Sequence, residues 1–197
     1  TSTCRSMGDR GNEYPRQDWH APGRDLDNSR AVVDSPIARS SIDQLEEAWR
    51  VSIPGSSTFG NIATTPIIVD DTVYLQDLSS NVTAIDLASG ELRWKHEYDE
   101  PQIGPNGVAV TDGRVFFASD PHTLVALRAD SGEELWTHTF TQGGVGMQPQ
   151  VAEGLVLIST IPIDSEGVYY AGGEEGVLYA FDAASGEEVW HFNTVKS

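Results

Sequence analysis

An all-β chain of repeated four-stranded units is what this sequence predicts, and three observations carry the prediction. A thirteen-residue stretch occurs three times, as Val82 to Trp94, Leu124 to Trp136 and Leu178 to Trp190. The copies share one pattern: Ala, an apolar residue, Asp or Arg, two residues, Ser-Gly-Glu, two residues, Trp. Apolar residues alternate on both sides of each Ser-Gly pair, as half-buried strands require. The Ser-Gly pair supplies the turn between them, because glycine accepts a positive φ without a Cβ clash. The repeat tryptophans stand 42 and 54 residues apart, and Trp49 lies 45 residues before the first of them.

Each copy therefore reads as strand, tight turn, strand. Two more strand candidates precede each copy. They are Thr65 to Val69 and Thr72 to Leu78 through Asp70-Asp71, then Gly107 to Val110 and Arg114 to Ser119 through Asp112-Gly113. The last are Pro149 to Ala152 and Leu155 to Thr160 through Glu153-Gly154. Four strands per period of this length is the arithmetic of a β-propeller blade. The chain divides into a polar N-terminal tether (1–17), a lead segment with the outer strand of a closing blade (18–60), and three blades. These are 61–100, 101–142 and 143–197, the last with a loop insertion at 161–175. Propellers close with four to eight blades, so the expectation is an incomplete propeller.

Composition narrows the function classes. The 197 residues hold 30 acids and 12 bases, a formal charge of −18, with 39% hydrophobic residues. That apolar content is enough for a core. So acidic a chain is a poor match to a phosphate backbone, and no nucleic-acid partner is expected. Most of the excess lies after residue 50 and reads as a solubilising coat on a β-rich surface, as an adaptation to high salt or as a surface for a cationic partner. No apolar run is long enough to span a bilayer as a helix. The single cysteine, Cys4, excludes an internal disulfide and a cysteine-based zinc cluster. It reads as a free thiol, a lipid-anchor site or a redox group.

The repeat tryptophans Trp94, Trp136 and Trp190 are expected to be structural. A Trp at a fixed blade position buries a large area and docks its indole N–H on a neighbouring blade. The Ala before each turn leaves room for the ring.

The repeat resembles the tryptophan-docking motif of the quinoprotein propellers, Ala-x-Asp-x-x-Thr/Ser-Gly-x-x-x-Trp. The first and third copies match every fixed position, and in the second Arg128 stands for the Asp. Asp18-Trp19 with Gly23 to Arg30, and Leu45 to Trp49, are similar to that family's leading segments. Gly104 to Val110 and Trp190 to Val195 look most like its alcohol and polyvinyl-alcohol dehydrogenase branch. The resemblance implies pyrroloquinoline quinone and calcium as cofactors, an alcohol substrate, a separate electron acceptor and an extracytoplasmic location. It also implies that the catalytic base is an Asp of a later blade, beyond residue 197. Three positions depart from the pattern. Ala63 stands where a quinone-contacting Glu is common, and Ile103-Gly104 and Asn106-Gly107 stand nearest to a vicinal Cys pair followed by Arg-Gly.

One metal ligand is a candidate. Glu166, before Gly167-Val168, is similar to the family's calcium-ligating Glu, and it lies with Asp164 in the twelve-residue surplus of the third repeat. Hard cations favour such carboxylate and carbonyl oxygens. The five histidines show no triad or metal spacing; His96, His138 and His191 follow the repeat Trp by one or two residues and mark an outer-strand position. The Asn81-Val82-Thr83 sequon runs straight into a strand and is discounted. A non-catalytic propeller of the same superfamily, working by protein–protein contact as an outer-membrane assembly lipoprotein does, is the alternative to the dehydrogenase.

Overall fold

The computed structural model describes residues 18–25, 27–32, 35–53, 60–141, 143–162 and 176–194. Cys4, Asp164 and Glu166, with the tether and most of the loop insertion, lie outside the described residues. The described residues form three four-stranded antiparallel sheets, each pairing its strands in chain order. The first blade holds β1 (Ile67–Val69), β2 (Thr72–Gln76), β3 (Val82–Asp86) and β4 (Leu92–His96). The second holds β5 (Ala109–Thr111), β6 (Arg114–Asp120), β7 (Thr123–Arg128) and β8 (Glu134–Thr139). The third holds β9 (Gln150–Ala152), β10 (Leu155–Ser159), β11 (Val177–Asp182) and β12 (Glu188–Asn193). These are three blades of a β-propeller. The first strand of each blade is shorter than its apolar run. Pro66 and Pro149 precede β1 and β9, and a residue without an N–H cannot extend the ladder.

The repeat motif explains itself in the turns. Asp86 Oδ1 accepts the N–H groups of Ala88 and Ser89 and the Ser89 hydroxyl, at 3.0, 2.9 and 2.9 Å. Asp182 makes the same three contacts with Ala184 and Ser185. In the second copy Arg128 reaches Glu133 across the turn at 3.1 Å instead. The backbone closure is unchanged: the N–H of Gly90, Gly132 or Gly186 donates to the carbonyl of Asp86, Arg128 or Asp182 at 2.8–2.9 Å. The Asp therefore reinforces a turn that the glycine, at φ near +75°, already makes.

The same glycines are the seats of the tryptophans. A Cβ on Gly132 would lie 2.7 Å from the Trp94 ring, one on Gly186 2.6 Å from Trp136, and one on Gly90 2.7 Å from Trp49. Each indole N–H also donates to a backbone carbonyl beside that turn. Trp49 reaches Leu87 at 3.0 Å, Trp94 reaches Ala129 at 2.8 Å and Trp136 reaches Ala183 at 3.3 Å. Within its own sheet each repeat Trp sits opposite the motif Ala: Ala84 faces Trp94, Ala126 faces Trp136 and Ala180 faces Trp190. A register shift follows that Ala in all three blades, as at a β-bulge.

Apolar packing runs between blades. One core joins Tyr74, Val82 and Trp94 of the first blade to Val115, Phe117 and Leu127 of the second. Another joins Phe116, Leu124 and Phe140 of the second to Val156, Ile158 and Phe181 of the third. β6 is buried on both faces, so its run Val115-Phe116-Phe117-Ala118 is continuously apolar. On the outer face of the first blade, Val73, Leu75 and Ile85 are covered by Trp49, Val51 and Ile53, residues with no strand partner among those described. The far face is open: all of β12 is exposed, with Trp190 at 40% and Phe192 at 59%.

Replacing Trp94, 9% exposed, by Ala should cost about 3–5 kcal/mol. Trp136→Ala should cost less, and Trp190→Ala least, when thermal unfolding of the 197-residue chain is measured. Gly132→Ala should lower the melting temperature and red-shift Trp94 fluorescence, because its Cβ and the ring cannot share the seat.

Candidate functional site at the inner rim

The three innermost strands lie side by side, β5 between β1 and β9. Each is entered from a loop, and these loops meet at one end. A Cβ on Gly104 would be 2.9 Å from the Ala63 Cβ and 3.3 Å from Leu78 Cδ2. One on Gly107 would be 2.4 Å from Thr64 Oγ1 and 3.0 Å from Gln148 Oε1. Gln148 in turn donates from Nε2 to the Val108 carbonyl at 2.6 Å. Three blades thus contribute to one inner rim, and positions 63 and 104, forty-one residues apart in the chain, touch there.

The rim is built from carboxamides, hydroxyls and backbone. Asp77 is 1% exposed. Its carboxylate accepts the N–H groups of Ser79 and Asn81 at 2.8 and 2.9 Å and the Asn81 Nδ2 at 3.1 Å. The Asn81 Oδ1 accepts the N–H groups of Tyr98 and Asp99, so the sequon asparagine, 3% exposed, is consumed by the fold. Asn106 donates from Nδ2 to the Asp77 carbonyl at 2.8 Å. Its Oδ1, and the Nε2 of Gln102, are buried without a protein partner. The loops at this end, 60–66, 97–108 and 143–149, contain no Lys or Arg but bring Glu97, Asp99 and Glu100.

A second concavity lies against the inner strands. A cavity of about 410 Å³ is bounded by Ala109 to Thr111, Pro149 to Val151 and the lead-segment residues His20, Ala21, Asp25 and Asp27. The lead segment is held there by Trp19, whose backbone pairs with Ile68 at 2.8 and 3.0 Å. Asp18 Oδ1 also accepts the Asp70 N–H at 3.1 Å. Sequence reasoning missed this strand-like contact, because Asp-Trp-His shows no alternation of its own.

Four of the five histidines are occupied structurally. His96 Nδ1 lies 3.0 Å from the Gly132 carbonyl of the next blade, and its ring stacks on Tyr98. His122 meets the Gly143 carbonyl, and His191 meets Glu188. His138 packs on Phe181 of the third blade with ring centroids 4.4 Å apart. Among the described residues no group of three or more His, Cys, Asp or Glu is placed to hold a metal ion. No helix among them is long and apolar enough to cross a membrane.

A family model described as the β-propeller domain of glucose, ethanol and alcohol dehydrogenases, named for PQQ, matches residues 19–197. The chain belongs to this PQQ-type propeller family. Quinohemoprotein alcohol dehydrogenase of Comamonas testosteroni is 29% identical over 203 residues, covering 94% of this chain and 27% of that protein. Polyvinylalcohol dehydrogenase of a Pseudomonas species is 27% identical over 90% of this chain and 29% of its own length. The crystal structure of the Comamonas enzyme superposes with a TM-score of 0.74 at 28% identity, over 91% of this chain and 27% of that one. The chain thus spans little more than a quarter of the relatives it matches.

Whether the rim suits a pyrroloquinoline quinone can be judged from its donor set. The free amide donor of Gln102 and the side-chain-free backbone at Gly104 and Gly107 suit one wall of a site for a planar, oxygen-rich ring. Cationic partners for carboxylates are not on these loops. Within these loops the fit is to the uncharged part of such a ring; Glu97, Asp99 and Glu100 are no partners for its carboxylates.

Titration affects the blade junctions. The Asp86 carboxyl is held below the usual carboxylate range by Arg93 and then by Ser89, and that of Asp182 by Ser185. Burial pushes the His138 imidazole below its ordinary 6.5, against the opposing pull of Glu188. In all three the folded state binds protons less readily than the unfolded chain, so each contribution is lost on acidification. Melting temperature should therefore fall as pH drops below about 6.5 through His138, and again below about 4 through the two aspartates. In thermal unfolding against pH, His138→Phe should reduce the first slope, and Asp86→Asn the second.

Proposed function

We propose that this chain is the leading part of a quinoprotein dehydrogenase that oxidises alcohols with pyrroloquinoline quinone and calcium, outside the cytoplasm, and passes electrons to a separate acceptor. The observation that carries the reading is the convergence of loops from three adjacent blades on one rim, in a chain whose residues 19–197 match a dehydrogenase propeller. When bound, such a quinone supplies the two-electron acceptor for the alcohol. Gln102, Asn106 and the backbone at Gly104 and Gly107 form the uncharged part of its wall. Trp94 and Trp136 hold the three blades in register around it, and Trp190 is expected to make the same contact in the full-length protein. Glu166 is the carboxylate to examine first for calcium, and the catalytic base comes from later in the full-length protein.

The scaffold reading has one observation in its favour. Ala63 and Gly104 fill the inner rim against each other, and the loops around them carry no base.

The full-length protein reconstituted with quinone and calcium should oxidise alcohols in a dye-coupled assay. Chelation of the metal should abolish that activity, and calcium should restore it. A preparation that binds no quinone and shows no turnover would favour the scaffold. Glu166→Gln should weaken calcium binding, measured by calorimetry of the full-length protein.

A further inference from the structure

Gln76 ends β2 and is 0% exposed. Burying a carboxamide is costly unless both its polar ends are paired. Both are, and across the blade junction. Nε2 donates to the Ala118 carbonyl of β6 at 2.7 Å, and Oε1 accepts the Gly107 N–H at 3.0 Å. In the β5–β6 register Ala109 faces Phe116, so extending the ladder would bring Gly107 opposite Ala118. The side chain of Gln76, from the neighbouring blade, occupies that gap. It presents an acceptor to one strand and a donor to the other, as a peptide group would. The Gly107 N–H is thereby satisfied without pairing to β6. Gly107 (φ +147°) sits against Thr64 and Gln148, and Asn106 is drawn onto the Asp77 carbonyl.

We propose that Gln76 is a positioning residue for the inner-rim loop Gln102–Gly107, setting it for contact with the quinone. It acts as an inserted amide that holds the loop off β6 and against the rim. The proposal rests on the quinoprotein reading, and its test separates the two. Full-length protein carrying Gln76→Met or Gln76→Glu is titrated with pyrroloquinoline quinone, following intrinsic fluorescence. Amide hydrogen exchange of the 102–107 segment is measured without quinone. Gln76→Met, similar in size but without donor or acceptor, should raise the quinone Kd about tenfold or more and speed exchange at Gly107. Gln76→Glu should bind weakly near pH 8 and recover toward pH 5, because a protonated carboxyl regains one donor and one acceptor. That recovery is what a purely space-filling role would not show.

A folded Gln76→Met protein with unchanged Kd overturns the proposal, whatever its melting temperature. If Gln76→Met does not fold, the pH series of Gln76→Glu decides, and a pH-independent Kd equal to the wild type overturns it. If the wild type itself binds no quinone, the dehydrogenase reading fails. Exchange then decides the positioning role alone: faster exchange in the variants supports it, and unchanged exchange overturns it.

Discussion

One contact recurs through the structure and the rest hangs on it: an indole ring laid on a glycine of the next blade's turn. The contact needs three things at once. The turn must have no Cβ where the ring lies, its backbone must take a positive φ, and a carbonyl beside it must face the indole N–H. Trp49 on Gly90, Trp94 on Gly132 and Trp136 on Gly186 meet all three. Since one glycine serves both the turn and the seat, the local geometry of a blade and its stacking on its neighbour are specified by the same residue.

That coupling orders the packing inward. With each blade fixed on the next, the faces of β6 are both covered, and aromatic residues line both junctions. The innermost strands then lie side by side, and the loops entering them meet at one end. There the interactions change character. Apolar contacts give way to carboxamide bridges between blades, from Gln76, Asn106 and Gln148, which carry direction that apolar contacts lack. The loops there carry no Lys or Arg and bring Glu97, Asp99 and Glu100 near the buried Asp77.

The strand plan was legible because each blade carries its period on its surface: alternation, a Ser-Gly turn and a Trp at constant offset. Pro66 and Pro149 shortened the innermost strands because a missing N–H ends a ladder, a detail that apolar patterning ignores. The structural use of His96 and His138 followed from their place after the repeat Trp. Trp19 was opaque, because its pairing with Ile68 is a contact across about fifty residues with no local period to announce it. Gln76 was opaque for a related reason. In a strand of five buried residues a single Gln reads as an exposed position, and only its partners on another blade explain its burial.

Sequence alone determined that this chain builds repeated antiparallel sheets stacked through tryptophan, since those features depend on residues within one period. It also pointed to the PQQ-type propeller family. Tertiary structure decided what the inner rim consists of. It put Ala63 against Gly104, turned Asn106 toward Asp77, and set the carboxamide of Gln76 between Gly107 and Ala118. Those juxtapositions join residues about thirty to forty positions apart, and blade stacking creates them. No local pattern encodes which atoms meet when two blades close on each other.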